Sequence, residues 1–402
     1  MNRPLSIFCI LSALFVLSMF YRTSNAIIAP NLIQDFGLNA ETLGILGGAY
    51  FSSFALFQIP MGPLLDRLGP RIVIPSFALV GALGAFLFAS GESFPIALSG
   101  RILIGVGMSC ALMGAMKVFT LNFPSRKFAT LVGVFISVGT LGNILAASPL
   151  AYLTSTIGWR TTFLLTGAVT TLSALLVFWV LRGAKREAPH PPKAEIGILQ
   201  SARLVLGSVA FWQISSVAFF RYGTFVALQG LWLGPYLMES KGYSPILAGN
   251  LLILMAIGTI LGGPIAGRLS DLTFRSPKVI ALWGLSLYGL SLFPLAGLIK
   301  IEGPFWYGLI FFSLGFFCAS GMVIYSHAVS LFPMSISGTV TAWVNFYTMA
   351  GGALLMAVMG KIIESFPRTN HGYPPEAYHT GFLVCFLGMA ASVIFYAFSR
   401  KE

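Results

Sequence analysis

Two arginines stand where an apolar chain has most reason to avoid charge. Arg22 lies in FYRTSNAIIAP (20–30) and Arg221 in FFRYGTFVALQGLW (219–232), 199 positions further on. A guanidinium stays charged at any physiological pH, and its planar fork of donors matches a carboxylate or phosphate at two points. Ser18 and Asn25, at i−4 and i+3, share the helical face of Arg22, and Thr224 at i+3 shares that of Arg221. Gln229 follows about two turns beyond. Two like charges at related depths repel unless an anion lies between them. The pattern therefore admits two readings: a bound anion shared by the pair, or two arginines that each bond carbonyls and hydroxyls within their own half.

Other polar residues in apolar runs are weighed in the same way. Lys117 either snorkels its ammonium to an aqueous interface or lines an inward cavity and hands the anion on. His327 occupies nearly the same place in a later run, as a satisfied interior histidine or a proton site. Arg101 reads as a packing residue that anchors backbone. Tyr21, Tyr50, Trp232, Tyr325, Trp343, Tyr347 and Asn345 are available to shape a pocket, with packing or an interfacial belt as the plainer role for most of the aromatics. The four cysteines (Cys9, Cys110, Cys318, Cys385) are scattered and read as small apolar side chains, not as disulfides or metal ligands.

The elements that must position these residues are membrane spans. The chain has 402 residues, 56% hydrophobic and only 9% charged, against about 25% charged in an ordinary soluble domain. Runs without Asp, Glu, Lys or Arg cover 42–65, 72–91, 128–159, 161–181, 242–267, 279–299, 303–360 and 377–399. A helix crossing the hydrocarbon layer takes roughly 20 residues. The 303–360 run is too long for one span and breaks at LFPMSISG (331–338). The expectation is an all-α membrane protein of twelve spans, near 5–33, 43–63, 72–90, 96–119, 128–152, 161–182, 206–237, 244–267, 278–299, 305–330, 338–362 and 380–398. The runs are continuously apolar and not alternating, which favours helices over a barrel. The N-terminal segment reads as the first span, because an arginine directly after its apolar core suits cleavage poorly.

Of the 24 Lys and Arg, fifteen fall in segments on the side of the N-terminus and five on the other; four lie inside spans. This bias puts both termini in the cytoplasm. It also absorbs most of the +12 charge, so no nucleic-acid partner is needed. The one long polar segment, RGAKREAPHPPKAEIGILQSAR (182–203), reads as a linker. It divides the chain into an N-terminal six-helix bundle (1–182), a cytoplasmic linker (183–205) and a C-terminal six-helix bundle (206–402). The halves echo each other: GPLLDRLGPR (62–71) ends the second span and GRLSDLTFR (267–275) the eighth. Internal repeats with a midplane site are a mark of secondary transporters.

Twelve spans as six plus six, with Gly62, Asp66, Arg67, Gly69 and Arg71 in the second-to-third loop, resemble the major facilitator superfamily. Gly267, Asp271 and Arg275 are a degenerate second copy, and RILIGVG (101–107) is similar to the fourth-span motif. The fifth-span antiporter motif lacks its Gly-Pro element. The segments Y-R-x-x-N-x-x-x-A-P and R-Y-G look like the first- and seventh-span arginine segments of the organophosphate:phosphate antiporter branch. There the two arginines hold the substrate anion; the resemblance implies that role for Arg22 and Arg221. It further implies a monomeric carrier of a bacterial inner membrane, working by alternating access, with the loop motif controlling conformation and a coupling proton or counter-anion as a second partner.

All twelve acids lie in loops, tails or span ends. Cationic-drug exporters and many proton symporters need a carboxylate inside the membrane, so a drug exporter is disfavoured. No G-x-x-x-x-G-K-[ST] loop is present for ATP. No enzyme chemistry and no cofactor or metal is expected. The leading expectation is a secondary transporter of a small organic anion, a carboxylate or phosphate ester. An amino-acid or peptide transporter gripping the substrate carboxylate, and a transporter-like receptor, remain as alternatives.

Overall fold

A computed structural model describes residues 3–123, 128–183, 198–269, 277–333, 336–369 and 372–399. Among them the chain is helical throughout, with no strand beyond an isolated Thr369–Gly372 bridge. Ten helices among the described residues are long and apolar enough to cross a membrane. Two further pairs, bent by 41° and 75°, bring the number to twelve if each bent pair is one span. The chain divides into two compact units. The first holds Met1–Leu38 and Ala49–Pro191, the second Asn39–Gly48 and Pro192–Glu402. Asp271 and Arg275, singled out in the sequence, lie outside the described residues.

The helices of the first half of the chain are α1 (Arg3–Thr23), α2 (Asn25–Phe36), α3 (Ala40–Leu68), α4 (Pro70–Ser90), α5 (Phe94–Met108), α6 (Cys110–Asn122), α7 (Phe128–Leu145), α8 (Ser148–Ile157) and α9 (Trp159–Val180). The expected first span is thus two helices with a break at Ser24. The break is slight: Ser24 keeps right-handed helical angles (φ −62°, ψ −27°), so Asn25 stays about one turn from Arg22. Within this unit α4 packs on α5 and α9, and α1 on α7 and α9. In lipid, close approach of small residues replaces the hydrophobic drive as the source of helix association. At Gly107, accordingly, a Cβ would stand 2.2 Å from the Gly81 nitrogen.

Gly69 of the loop motif separates α3 from α4 at φ 78°, ψ 153°. Gly158 before α9 and Gly303 before a later helix take nearly the same angles (81°, 155° and 81°, 154°). That region is open essentially to glycine alone. By contrast a Cβ at Gly62 or Gly267 would meet nothing within 4 Å, and nothing in the structure explains glycine there.

The second half of the chain contains α10 (Ile198–Leu206) and α11 (Val209–Ala227), which runs on through a π-helical stretch (Leu228–Trp232), a short α12 (Leu233–Pro235) and a second π stretch (Tyr236–Ser240). Then come α13 (Pro245–Arg268), α14 (Pro277–Leu292), α15 (Pro304–Ser320), α16 (Ile324–Ser330), α17 (Ser337–Glu364) and α18 (Pro375–Ala397). In the second unit α13 packs on α15 and α11 on α17.

This unit also takes in the first turns of α3. A Cβ at Gly44 would stand 2.6 Å from the Met356 carbonyl oxygen, and one at Gly48 2.7 Å from that of Ala353, so both glycines permit backbone-to-backbone contact with α17. The start of α3 is capped twice. Asn39 Oδ1 accepts from the Thr42 amide at 2.9 Å, and Glu364 Oε2, from the end of α17, accepts from the Ala40 amide at 2.8 Å. A carboxylate at a helix N-terminus answers both the unpaired amides and the helix dipole. The Tyr373 hydroxyl also donates to Glu364 and accepts from the Ala40 amide at 3.2 Å. Burial, then that hydrogen bond, pushes the Tyr373 phenol up to about 12, so it remains a donor across the physiological range.

A hydrogen bond to a charged group contributes about 1.5–3 kcal/mol. Glu364→Gln is therefore expected to loosen the first turns of α3. In a Cys9→Ser background, a cysteine introduced at Ala40, which is buried here, should be alkylated about tenfold faster when Glu364 is Gln. An unchanged alkylation rate contradicts the cap.

Candidate functional site

Each unit buries a guanidinium against main chain. In the first, Arg101 reaches from α5 to α1 and its Nη1 donates to the Tyr21 carbonyl at 3.0 Å. In the second, Arg221 reaches from α11 to α15, and its Nη1 donates to the Cys318 carbonyl at 3.0 Å. Both accepting carbonyls lie three residues before a helix break: Tyr21 before Ser24, and Cys318 before Gly321, where α15 gives way to a 3-10 turn. By the six-plus-six repeat, the same pair of spans is bridged in both halves, but from opposite sides. Arg101 is thus bonded to backbone.

Arg22 is buried, with its guanidinium carbon 4.9 Å from the ring centre of Phe54 and 6.0 Å from that of Phe51. A cation over an aromatic face is worth about 0.5–2 kcal/mol, more when desolvated. The surrounding framework is tied down. Tyr21 and Thr170 share a hydroxyl hydrogen bond of 3.0 Å, and the Tyr50 hydroxyl donates to the Ser18 carbonyl at 3.3 Å. Asn25, one turn from Arg22, is 1% exposed, yet neither end of its amide has a hydrogen-bond partner among the described residues; nor has the Ser18 hydroxyl. Buried polar atoms are nearly always bonded, so two such groups on the face of Arg22 call for a polar ligand or solvent.

Arg221 repeats the situation with different neighbours. It is 3% exposed; Nη1 is engaged, but Nε has no partner among the described residues, and no described carboxylate lies within 4.0 Å. Arginine has five N–H donors; here Nη1 also lies 3.7 Å from Cys318 Sγ, and Nε is left without a partner among the described residues. Room for its side chain comes from Gly321, where a Cβ would stand 2.0 Å from Arg221 Cδ. Gln229 lies in the π-helical stretch, 3% exposed, with its carbonyl oxygen unpartnered among the described residues. Single π turns occur often at functional sites because they re-aim side chains. Thr224 is fully buried. Trp232 is fixed by its indole N–H donating to the Met356 carbonyl at 3.1 Å.

The remaining residues singled out in the sequence have structural partners. Lys117 makes a 3.2 Å ion pair with Asp66 of the loop motif, the two side chains 25% and 58% exposed. The ammonium therefore neutralises the motif aspartate, a role the sequence reading did not anticipate, because it depends on how α3 and α6 are rotated. Arg67 is exposed, and the Arg71 guanidinium lies 5.3 Å from the Phe178 ring centre. His327 is fully buried, with Nδ1 2.7 Å from the Tyr396 hydroxyl. Asn345 accepts from the Tyr325 hydroxyl at 3.3 Å, and that hydroxyl also lies 3.2 Å from Thr348 Oγ1. Phe54, Cys318 and Gly321 were missed. A phenylalanine, a cysteine and a glycine in apolar runs give no local signal of a neighbouring cation.

Comparison with known proteins agrees with this architecture. A family model described as Major Facilitator Superfamily matches residues 10–356. The chain is 23% identical over 376 residues to the "Probable sulfoacetate transporter SauU" of Cupriavidus necator, covering 88% of this chain and 86% of that one. It is 24% identical over 410 residues to the "Gallate transporter" of Pseudomonas putida, covering 89% and 88%. Its fold is similar to a bacterial homologue of the human lysosomal transporter Spinster, in an inward-facing and occupied conformation, with a TM-score of 0.78, 19% identity, and coverage of 99% of this chain and 97% of that one.

The fit of Arg221 against Gly321 can be tested directly. Gly321→Ala overpacks the guanidinium stem and is expected to destabilise the protein by about 1–3 kcal/mol. The penalty should shrink when Arg221 is already Ala, because the two positions share one contact. Thermal midpoints of the four variants in detergent check this; equal penalties in both backgrounds contradict the contact.

Proposed function

The chain belongs to the Major Facilitator Superfamily, and on that premise we propose that it is a secondary transporter of a small organic anion. In this reading Arg22 of the first unit and Arg221 of the second both bind the anionic group during alternating access. The observation that carries it is the state of Arg221: a guanidinium 3% exposed, bonded through Nη1 to one carbonyl, with Nε unpartnered and no carboxylate beside it among the described residues. A permanent charge in an apolar bundle is costly unless compensated. A transported carboxylate or phosphate would supply the missing acceptors and charge. Asn25, Ser18 and Gln229 would serve the remaining polar groups of the substrate, and Tyr21, Thr224 and Trp232 would border them. Small organic anions such as sulfoacetate and gallate, named for two relatives, have the chemistry this reading asks for.

The ion pair of Lys117 with Asp66 suits a conformational role for the loop motif better than contact with substrate. Orientation with both termini cytoplasmic, from the distribution of Lys and Arg, belongs to the same proposal. So does coupling through a proton or a counter-anion; exchange of anions needs no intramembrane acid, and every acid here lies in a loop, a tail or a span end.

The test begins with a thermal-shift screen of the purified protein against sulfoacetate, gallate, sugar phosphates, dipeptides and cationic drugs. A ligand at a hundred times its dissociation constant adds about 2.7 kcal/mol of stability. Arg22→Lys and Arg221→Lys keep the charge but lose the two-point fork, and each should weaken the best anion about tenfold or more. The double variant should lose less than the sum, because both residues meet one ligand. Calorimetric dissociation constants for the four proteins decide. If either lysine variant binds as tightly as the parent, that arginine serves structure alone. Asp66→Asn, by contrast, should slow uptake into proteoliposomes and leave affinity within a few-fold; loss of binding in a folded variant would contradict its assignment to conformation.

A further inference from the structure

A second group of polar residues gathers at the end of the second unit where α13 and α15 begin and α17 ends. A cavity of about 180 Å³ opens there, lined among others by Tyr236, Lys241, Lys300, Glu302, Tyr307 and His379. These residues come from the far end of α11's continuation, from the loops before α13 and α15, and from the starts of α15 and α18. None belongs to the arginine sites described above.

The floor is a hydrogen-bonded aromatic chain. The buried Tyr236 hydroxyl lies 3.0 Å from that of Tyr307 and 3.2 Å from His379 Nε2. The Lys241 ammonium sits over it, 5.5 Å from the Tyr236 ring centre and 6.0 Å from that of Tyr307. Ring faces hold a cation in place without neutralising it. No carboxylate of a described residue lies within 4.0 Å of either Lys241 Nζ or Lys300 Nζ. Glu302 lines the same cavity, and Glu376 is near enough to act on the charge of His379, as is Lys241. Two ammonium groups thus face one lining carboxylate, beside an imidazole and two tyrosine hydroxyls.

The rim is of another character. Leu298, Phe305 and Trp306 are 60%, 73% and 54% exposed. Exposed aromatics at the end of a span mark the headgroup level of a bilayer. A positively charged cavity at that level, with apolar side chains beside it, matches a phosphate attached to something apolar. It also matches a free phosphate arriving from water.

We propose that this cavity is a second anion site, which takes a phosphate group through Lys241 and Lys300, with the hydrogen-bonded chain Tyr307–Tyr236–His379 supplying a further donor from one of its ends. The phosphate comes either from a lipid headgroup or from a free solute. The proposal does not depend on the role assigned to Arg22 and Arg221.

The experiment uses the full chain, purified and delipidated in detergent. In the first arm, native mass spectrometry compares retention of phosphatidylglycerol with that of phosphatidylcholine from an equimolar mixture. In the second, inorganic phosphate is titrated and followed by phosphorus NMR. The parent is expected to retain phosphatidylglycerol in preference, by about tenfold, or to bind inorganic phosphate without lipid preference; the first outcome assigns the site to lipid, the second to a free solute. Lys241→Gln with Lys300→Gln should weaken the observed binding about tenfold or more, and the corresponding pair of arginine substitutions should retain it. Both side chains are at least partly exposed, so an unchanged thermal midpoint is expected and serves as the folding control. Absence of binding in both arms overturns the proposal. So does a glutamine pair that binds like the parent.

Discussion

A guanidinium inside an apolar bundle must be solvated by the protein, and much of this architecture is arranged around that need. An α-helix keeps its carbonyls for itself, so interior helices offer few acceptors. The chain finds them at breaks. Arg101 takes the Tyr21 carbonyl beside the break at Ser24, and Arg221 takes the Cys318 carbonyl beside the 3-10 turn at Gly321. An aromatic face also serves: the Arg22 guanidinium rests over Phe54. Irregular backbone at membrane depth is tolerated only where protein or a water-filled cavity surrounds it. Two of the irregularities, at Ser24 and Gly321, thus lie beside carbonyls that a buried arginine uses.

The same need underlies the proposal that these sites hold an anion. One carbonyl holds a guanidinium in place but does not cancel its charge. The unpartnered atoms of Asn25 and Gln229 lie near the same helix segments as Arg22 and Arg221. An acid in a neighbouring span would have neutralised the arginines and closed the site. The sequence keeps every acid in loops, tails or span ends, and two of them have structural work there: Asp66 with Lys117, and Glu364 on the first amide of α3. The few charges deep within spans are thus cations: Arg22, Arg101, Lys117 and Arg221.

How far this was legible in the sequence follows from the physics of each feature. The spans were plain, because a charge-free run of twenty residues has few other uses, and Arg22 and Arg221 stood out because ionised side chains are rare in such runs. Gly69 was legible through its motif, and its unusual backbone angles give the reason for the residue. The break at Ser24 and the π turns around Gln229 were not legible: they result from packing between helices, and no Pro or Gly marks the first of them. The Lys117–Asp66 pair required the rotation of two helices about their axes, which an almost uniformly apolar helix does not reveal. Gly321 carries no local mark at all; its role is visible only as the space occupied by Arg221. The contact of Asn39–Gly48 with α17 joins positions more than 300 residues apart, beyond the reach of any local pattern.

The central claim is that both buried arginines meet one transported anion. The most direct measurement is a cryo-electron microscopy structure of the protein saturated with the strongest anionic ligand from the screen. The account predicts density for the anionic group within hydrogen-bonding distance, about 2.7–2.9 Å, of the guanidinium nitrogens of Arg22 and Arg221. An anion bound elsewhere, with Arg221 still on the Cys318 carbonyl and neither guanidinium touching the ligand, would contradict it.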